Sequence, residues 1–250
     1  MGTYRMLVAG LLCVSVALAG CSTDWPRSRL ATYLGPVSSP SVATELTKQG
    51  VVKAGLVVIN DTSDKNSAPR LSPESLAAIK KHVQSQLTKE VPLSLVELDF
   101  PSESALPHDL SSLLQVAQDR GMDYVVLAVV SSTEIEVPDQ FPLQGTLVNS
   151  GMRGWLVGYR AENFALAELA LLDAQTGQTL MRAEGQAWAL LERLDVPLES
   201  NLYPVVRREQ EFPPIYPSKE ERAHDVLRAV ASSDAIDQAV MHFKETWGQG

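Results

Sequence analysis

Glu134 and Glu136 lie two residues apart and would share one face of an extended segment, a spacing that paired acid and base chemistry can use. The same spacing makes an ordinary polar strand face, and with no pocket evident around them that is the reading adopted. The chain has four histidines. His82 and His242 fall in helical patterns, His108 precedes one, and His224 sits beside Asp225 near a helix start. Adjacent helical residues diverge by about 100°, so His224 and Asp225 do not form a dyad by themselves. The loop at 60–66 offers Asp61 and Asp64 to a hard cation but lacks the glycine and terminal glutamate of a calcium loop, and reads as a solvated turn. Arg207 and Arg208 could grip an anion and are most simply a solvated pair. No G-x-S-x-G elbow, glycine-rich phosphate loop or HExxH pair occurs. The reading is therefore of a chain that is not an enzyme and uses no cofactor and no metal.

The remaining reactive group is the thiol of Cys21. It follows Arg5 and an almost wholly apolar run at 6–20, too short for a spanning helix of about 20 apolar residues and suited to a signal peptide. The run ends in Leu18-Ala19-Gly20-Cys21, which resembles the lipobox of bacterial lipoproteins. The resemblance implies cleavage between Gly20 and Cys21 and acylation of Cys21. It also implies that Ser22, standing where an aspartate commonly retains such proteins in the inner membrane, permits sorting to the outer membrane. The expected location is the outer membrane, facing the periplasm, with the membrane itself as one partner. Two or more acyl chains anchor stably where one alone is marginal.

Cysteine usage fits this address. The other cysteine, Cys13, lies in the segment to be removed, so the remaining chain can form no internal disulfide and must rely on an apolar core. The formal charge is −9, and removal of residues 1–20, which carry Arg5 and no acid, leaves −10. That balance disfavours nucleic acid or an anionic surface as a generic partner.

These groups must be placed by the elements that follow. Residues 21–50, rich in Ser, Thr and Pro, read as a flexible tether, with Trp25 a candidate for the lipid headgroups. Residues 51–250 read as one α/β domain: a single mixed sheet of about five strands, crossover helices, and carboxy-terminal helices packed on it. A β-branched run at 51–59 predicts a strand. Ser72-Pro73-Glu74 predicts a capped helix start, continued by Leu76, Ile79, Val83 and Leu87 and stopped at Pro92. Strand 93–98 and a helix from about Asp109 to Gly121 follow. Residues 124–130 are apolar throughout, which predicts a central strand covered on both faces. Strands at 164–172 and 178–190 form a hairpin around Gly177. Ser218 and Glu221 predict a capping box before one carboxy-terminal helix, and Ser233-Asp234 the start of another.

This order, with LVVINDT at 56–62, GMDYVVL at 121–127 and AELALLDAQTGQTL at 167–180, resembles the periplasmic domain of the curli-secretion (CsgG-like) lipoprotein family, and related folds such as the amino-terminal domain of TolB-like proteins. The resemblance implies insertions near 134–163 and 191–217, where pore-forming members carry membrane hairpins. The second is charged and proline-rich, a poor barrel strand. The leading expectation is a lipid-anchored assembly, transport or adaptor protein that binds an envelope partner or copies of itself. An oligomeric secretion-channel subunit is the alternative, and an anchored hydrolase or small-ligand binder a further one.

Overall fold

The apolar run at 124–130 becomes the inner part of the third strand in a six-stranded sheet. A computed structural model describes residues 25–35, 50–98, 110–142, 155–195, 203–209 and 213–248. In chain order these form α1 (Leu30–Leu34), β1 (Val52–Asp61), α2 (Pro73–Glu90), β2 (Leu93–Glu97), α3 (Leu110–Asp119), β3 (Tyr124–Pro142), β4 (Trp155–Asp173), β5 (Thr179–Leu194), β6 (Val205–Arg208) and α4 (Ala223–Gly248). The strand order is β2-β1-β3-β4-β5-β6. β1 is parallel to β2 and β3, and the strands from β3 to β6 are antiparallel.

The two faces of β3 explain its composition. Val126, Ala128 and Val130 pack with α2 and α4 in one buried cluster, while Val125, Leu127 and Val129 pack with residues of α1 and α3 in another. A strand buried on both sides has no polar alternation to show. Leu169 and Leu171 on β4 are fully buried in the first cluster. Each such leucine contributes about 2 kcal/mol of transfer free energy.

Local signals placed α2 as expected. The Ser72 hydroxyl accepts from the Ser75 amide at 3.2 Å, Pro73 opens the helix, and Ile79, Val83 and Leu87 are its buried stripe. Gly121 has φ +67° and Gly177 φ +71°, the left-handed conformations that end α3 and turn β4 into β5.

The structure differs from several expectations. The sheet has six strands, because β6 pairs with the outer part of β5 inside the segment read as a poor strand. Its charges and neighbouring prolines suit an edge strand, with Val206 packed into the core and Val205 buried on the other face. Residues 134–142 and 155–163, within the segment expected as the first insertion, continue β3 and β4 as their outer halves, paired from Glu134↔Asn163 to Pro142↔Trp155. The carboxy-terminal helices are one helix, since the Ser233 hydroxyl donates back to the Ala229 carbonyl at 2.9 Å instead of capping a new start. Its entry is a 3₁₀ turn, Glu220–Arg222, with Lys219 at the cap position, so the box expected at Ser218 does not form. Within the stretch expected as a tether, residues 25–35 lie against the sheet. Gly20, Cys21, Ser22 and residues 143–154 lie outside the described residues. Among the described residues no helix is long and apolar enough to cross a membrane.

α4 crosses β5 backbone to backbone at Gly185, where a Cβ would stand 2.2 Å from the Ala235 carbonyl oxygen and 2.3 Å from the Ala239 nitrogen. Gly185→Ala should therefore cost about 3 kcal/mol or more by forcing the helix off the sheet. Gly121→Ala, which meets nothing within 4 Å, should cost only about 1–2 kcal/mol of backbone strain. Urea unfolding of the two variants checks the contrast, and equal losses would contradict this packing.

Candidate functional site

Glu168 is the one acid within the apolar run 165–172 of β4, and it is 3% exposed. A buried carboxylate is tolerated only when hydrogen bonds replace its water. Here the residues just beyond the expected anchor supply them. The Ser28 hydroxyl donates to Oε1 at 2.5 Å, and the backbone amides of Arg29 and Leu30 donate to Oε2 at 2.6 and 3.1 Å. Burial pushes the neighbouring Arg182 guanidinium down from its ordinary value, and the Glu168 charge opposes that shift.

Asp61, at the end of β1, holds the same segment. It accepts from Arg29 Nε at 3.2 Å and from the Tyr33 hydroxyl at 3.0 Å, and from the amide and hydroxyl of Ser63 at 2.8 and 2.6 Å. Arg29 also donates to the Ser63 hydroxyl. Burial alone would raise the Asp61 carboxyl, but the bonds from Ser63, Tyr33 and Arg29 outweigh it and hold the group below its ordinary 3.8. Tyr33 is pushed well above the usual phenol range by burial, and further by the Asp61 charge and hydrogen bond. Leu30 sits in the cluster beneath α3, and the Trp25 ring meets Phe164 edge-on at 5.2 Å between centroids. Residues 25–34 thus form a strap fastened by two carboxylates, one leucine and one ring pair.

The opposite face carries a second polar cluster. Glu134 and Glu136 do share a face, and His224 at the start of α4 reaches both, with Nδ1 2.7 Å from Glu134 and Nε2 3.3 Å from Glu136. Arg228 lies 3.1 Å from Glu134, and Arg193 2.7 Å from Glu136. A neutral imidazole can donate to only one carboxylate, and an imidazolium to both. With both ring nitrogens taken up, the arrangement acts as a clamp between the start of α4 and the outer sheet.

The other candidates separate. His224 and Asp225 diverge as expected, since Asp225 accepts from the Ser72 amide and from the Ser72 and Ser75 hydroxyls at the start of α2. Those bonds hold Asp225 below its ordinary value against the opposing effect of burial. His82 pairs with Asp237 at 2.8 Å, and His242 with the Glu184 carbonyl at 2.7 Å. Arg207 pairs with Glu192 and Arg208 with Asp234. His108 lies outside the described residues. In the loop at 60–66, Asp61 turns to the strap while Asp64 accepts from the Asn66 amide. Among the described residues no group of three or more potential ligands could hold a metal ion. Sequence reading missed the role of Glu168, although a lone acid in an apolar strand was the available signal.

No family model matches the chain, and no curated protein matches it. Among solved structures it is similar to the PelC dodecamer from Paraburkholderia phytofirmans, at 10% identity over 78% of this chain and 88% of that chain with TM-score 0.35. It is similar to a hypothetical protein from Chlamydia trachomatis at 11% identity over 80% and 99%, TM-score 0.36. A minor lipoprotein from Acinetobacter baumannii follows at 10% identity over 78% and 92%, TM-score 0.32. At these scores the likeness carries no argument about what this chain does.

Glu168→Gln keeps the size of the side chain but places a donor where two amides converge, at a cost of about 1–3 kcal/mol. Trypsin cleavage after Arg27 and Arg29 should speed up about tenfold or more while the sheet stays folded, followed by mass spectrometry. An unchanged rate would show that the strap is not held by this carboxylate. Asp61 is lowered in the fold, so its contribution is complete above its unfolded value of 3.8 and is lost as pH falls through the lowered folded value. Asp61→Asn should flatten the fall in melting temperature on the acid side of about pH 4. A variant with the same acid slope as the parent would contradict this.

Proposed function

We propose that the chain is a lipid-anchored envelope protein, cleaved after Gly20, acylated on Cys21 and sorted to the outer membrane with Ser22 permitting export. Its periplasm-facing domain acts without catalysis, as an assembly, transport or adaptor component that binds an envelope protein or further copies of itself. The CsgG-like phrases support the class. The observation that carries the reading is the far end of the β3–β4 hairpin, where Trp155 is 66% and Val157 54% exposed. Exposed apolar side chains grouped on one element mark interaction sites, and an aromatic anchor is the type most often decisive.

A channel subunit is the second reading. It is favoured by strand length, since β3 and β4 have 19 residues each against the roughly 9–11 that span a bilayer. Against it, Glu134 and Glu136 are bound to His224, Arg228 and Arg193, which ties the near part of the hairpin to the body of the domain.

A photo-crosslinker placed at Trp155 in cells should capture a discrete protein neighbour or a second copy. Cys21→Ser should move the chain from the membrane to the soluble fraction and abolish most of that capture. No discrete adduct from a membrane-bound chain would count against partner docking. Rings seen after detergent purification, with conductance in bilayers, would favour the channel instead.

A further inference from the structure

Three residues separate Cys21 from Trp25, and from Trp25 onward the strap is fastened to the sheet. An extended chain spans at most about 3.6 Å per residue, so Cys21 can stand no more than about 14 Å from Trp25. A free tether of the length first expected, residues 22–50, would allow a root-mean-square reach of about 30 Å. A lipid on Cys21 therefore holds the patch of sheet around Trp25 close to the headgroups.

The register shows what that patch contains. Phe164, beneath Trp25, is flanked across the strands by Thr133 and Trp188. The next row toward the hairpin end is Ile135, Glu162 and Leu190, and the row after it Val137, Arg160 and Glu192. Ile135 is 37% and Val137 46% exposed. They alternate along β3 with Glu134 and Glu136, whose side chains are engaged by residues of α4 and β5 on the opposite face. The two acids on one side are thus paired, while β-branched side chains on the other face outward beside the point where the anchor segment leaves.

We propose that this face, with Ile135 and Val137 beside Trp25, lies on the lipid bilayer, and that the docked strap sets the orientation. The inference rests on the lipid-anchored reading above. The aliphatic pair and the indole suit the interfacial layer. Glu162 and Glu192 in the same rows offset Arg160 and Arg207, and the chain without residues 1–20 has a net charge of −10, so the face has no net attraction to anionic lipid. Contact therefore depends on the acyl chains, and the unlipidated domain does not bind vesicles.

The mature chain has no thiol besides Cys21, so a cysteine placed by Ile135→Cys in the full lipidated chain takes a fluorescent label alone. Met241→Cys, 60% exposed on α4 at the other side of the sheet, is the control. In vesicles of phosphatidylethanolamine and phosphatidylglycerol carrying headgroup nitroxide, the label at 135 should be quenched about threefold more than that at 241, and soluble iodide should show the reverse order. Equal quenching at both positions would overturn the proposal. Shielding of 135 from iodide without nitroxide quenching would also overturn it, because a protein would then be the cover. Glu168→Gln should keep the chain on the vesicles and lower the nitroxide quenching at 135; unchanged quenching would refute the strap as the orienting device. The intact mass reports the acyl groups: a chain without them refutes the anchor reading, and an acylated chain with an exposed 135 refutes only the orientation.

Discussion

The long antiparallel ladder between β3 and β4, running from Tyr124↔Asp173 to Pro142↔Trp155 without a slip, is the constraint on which the rest of the structure depends. Side chains alternate in direction along a strand, so this register decides which residues meet α2 and α4 and which meet α1 and α3. A shift of β4 by one residue would bury Glu162 in place of Asn163, and would turn Glu168 from the strap toward the helices. That parity puts the clamp around His224 on one face and the strap on the other.

Acid placement on the two faces differs in kind. Glu168 is nearly inaccessible and needs Ser28, Arg29 and Leu30 to replace its lost water, so docking of the strap and burial of the carboxylate are one event. Glu134 and Glu136 are partly open and are met by a histidine and two arginines, an arrangement that contributes modestly to stability and more to fixing where α4 begins. The first acid controls where the chain leaves the sheet, and the second pair controls how the outer sheet is joined to its helix.

Much of the inner fold was legible from the sequence. The Ser72-Pro73 start, the stripe ending at Leu87, the Gly121 and Gly177 turns and the two-sided strand at 124–130 are local signals, and each is used. What was not legible depends on tertiary pairing. The outer halves of β3 and β4 are hard to read as continuations of the inner strands because their apolar pattern weakens once β1 no longer pairs beside β3, beyond Ser131. Strand β6 hides in a charged, proline-rich stretch because an edge needs only one ladder. The two acids at 134 and 136 were seen as sharing a face, but their partners lie in β5 and α4, far away in sequence. The strap was masked by its composition, since Ser28 and Arg29 act through a backbone amide, a hydroxyl and a guanidinium rather than through apolar periodicity.

Hydrogen exchange at the Arg29 and Leu30 amides of the full chain tests the central claim most directly. Docked on Glu168, both amides should exchange far more slowly than a free peptide, and Glu168→Gln should release them while the amides of β3 and β4 stay protected. Exchange of Arg29 and Leu30 at free-peptide rates in the unaltered protein would contradict the account, because residues 25–34 would then be a loose tether and not a strap docked on the sheet.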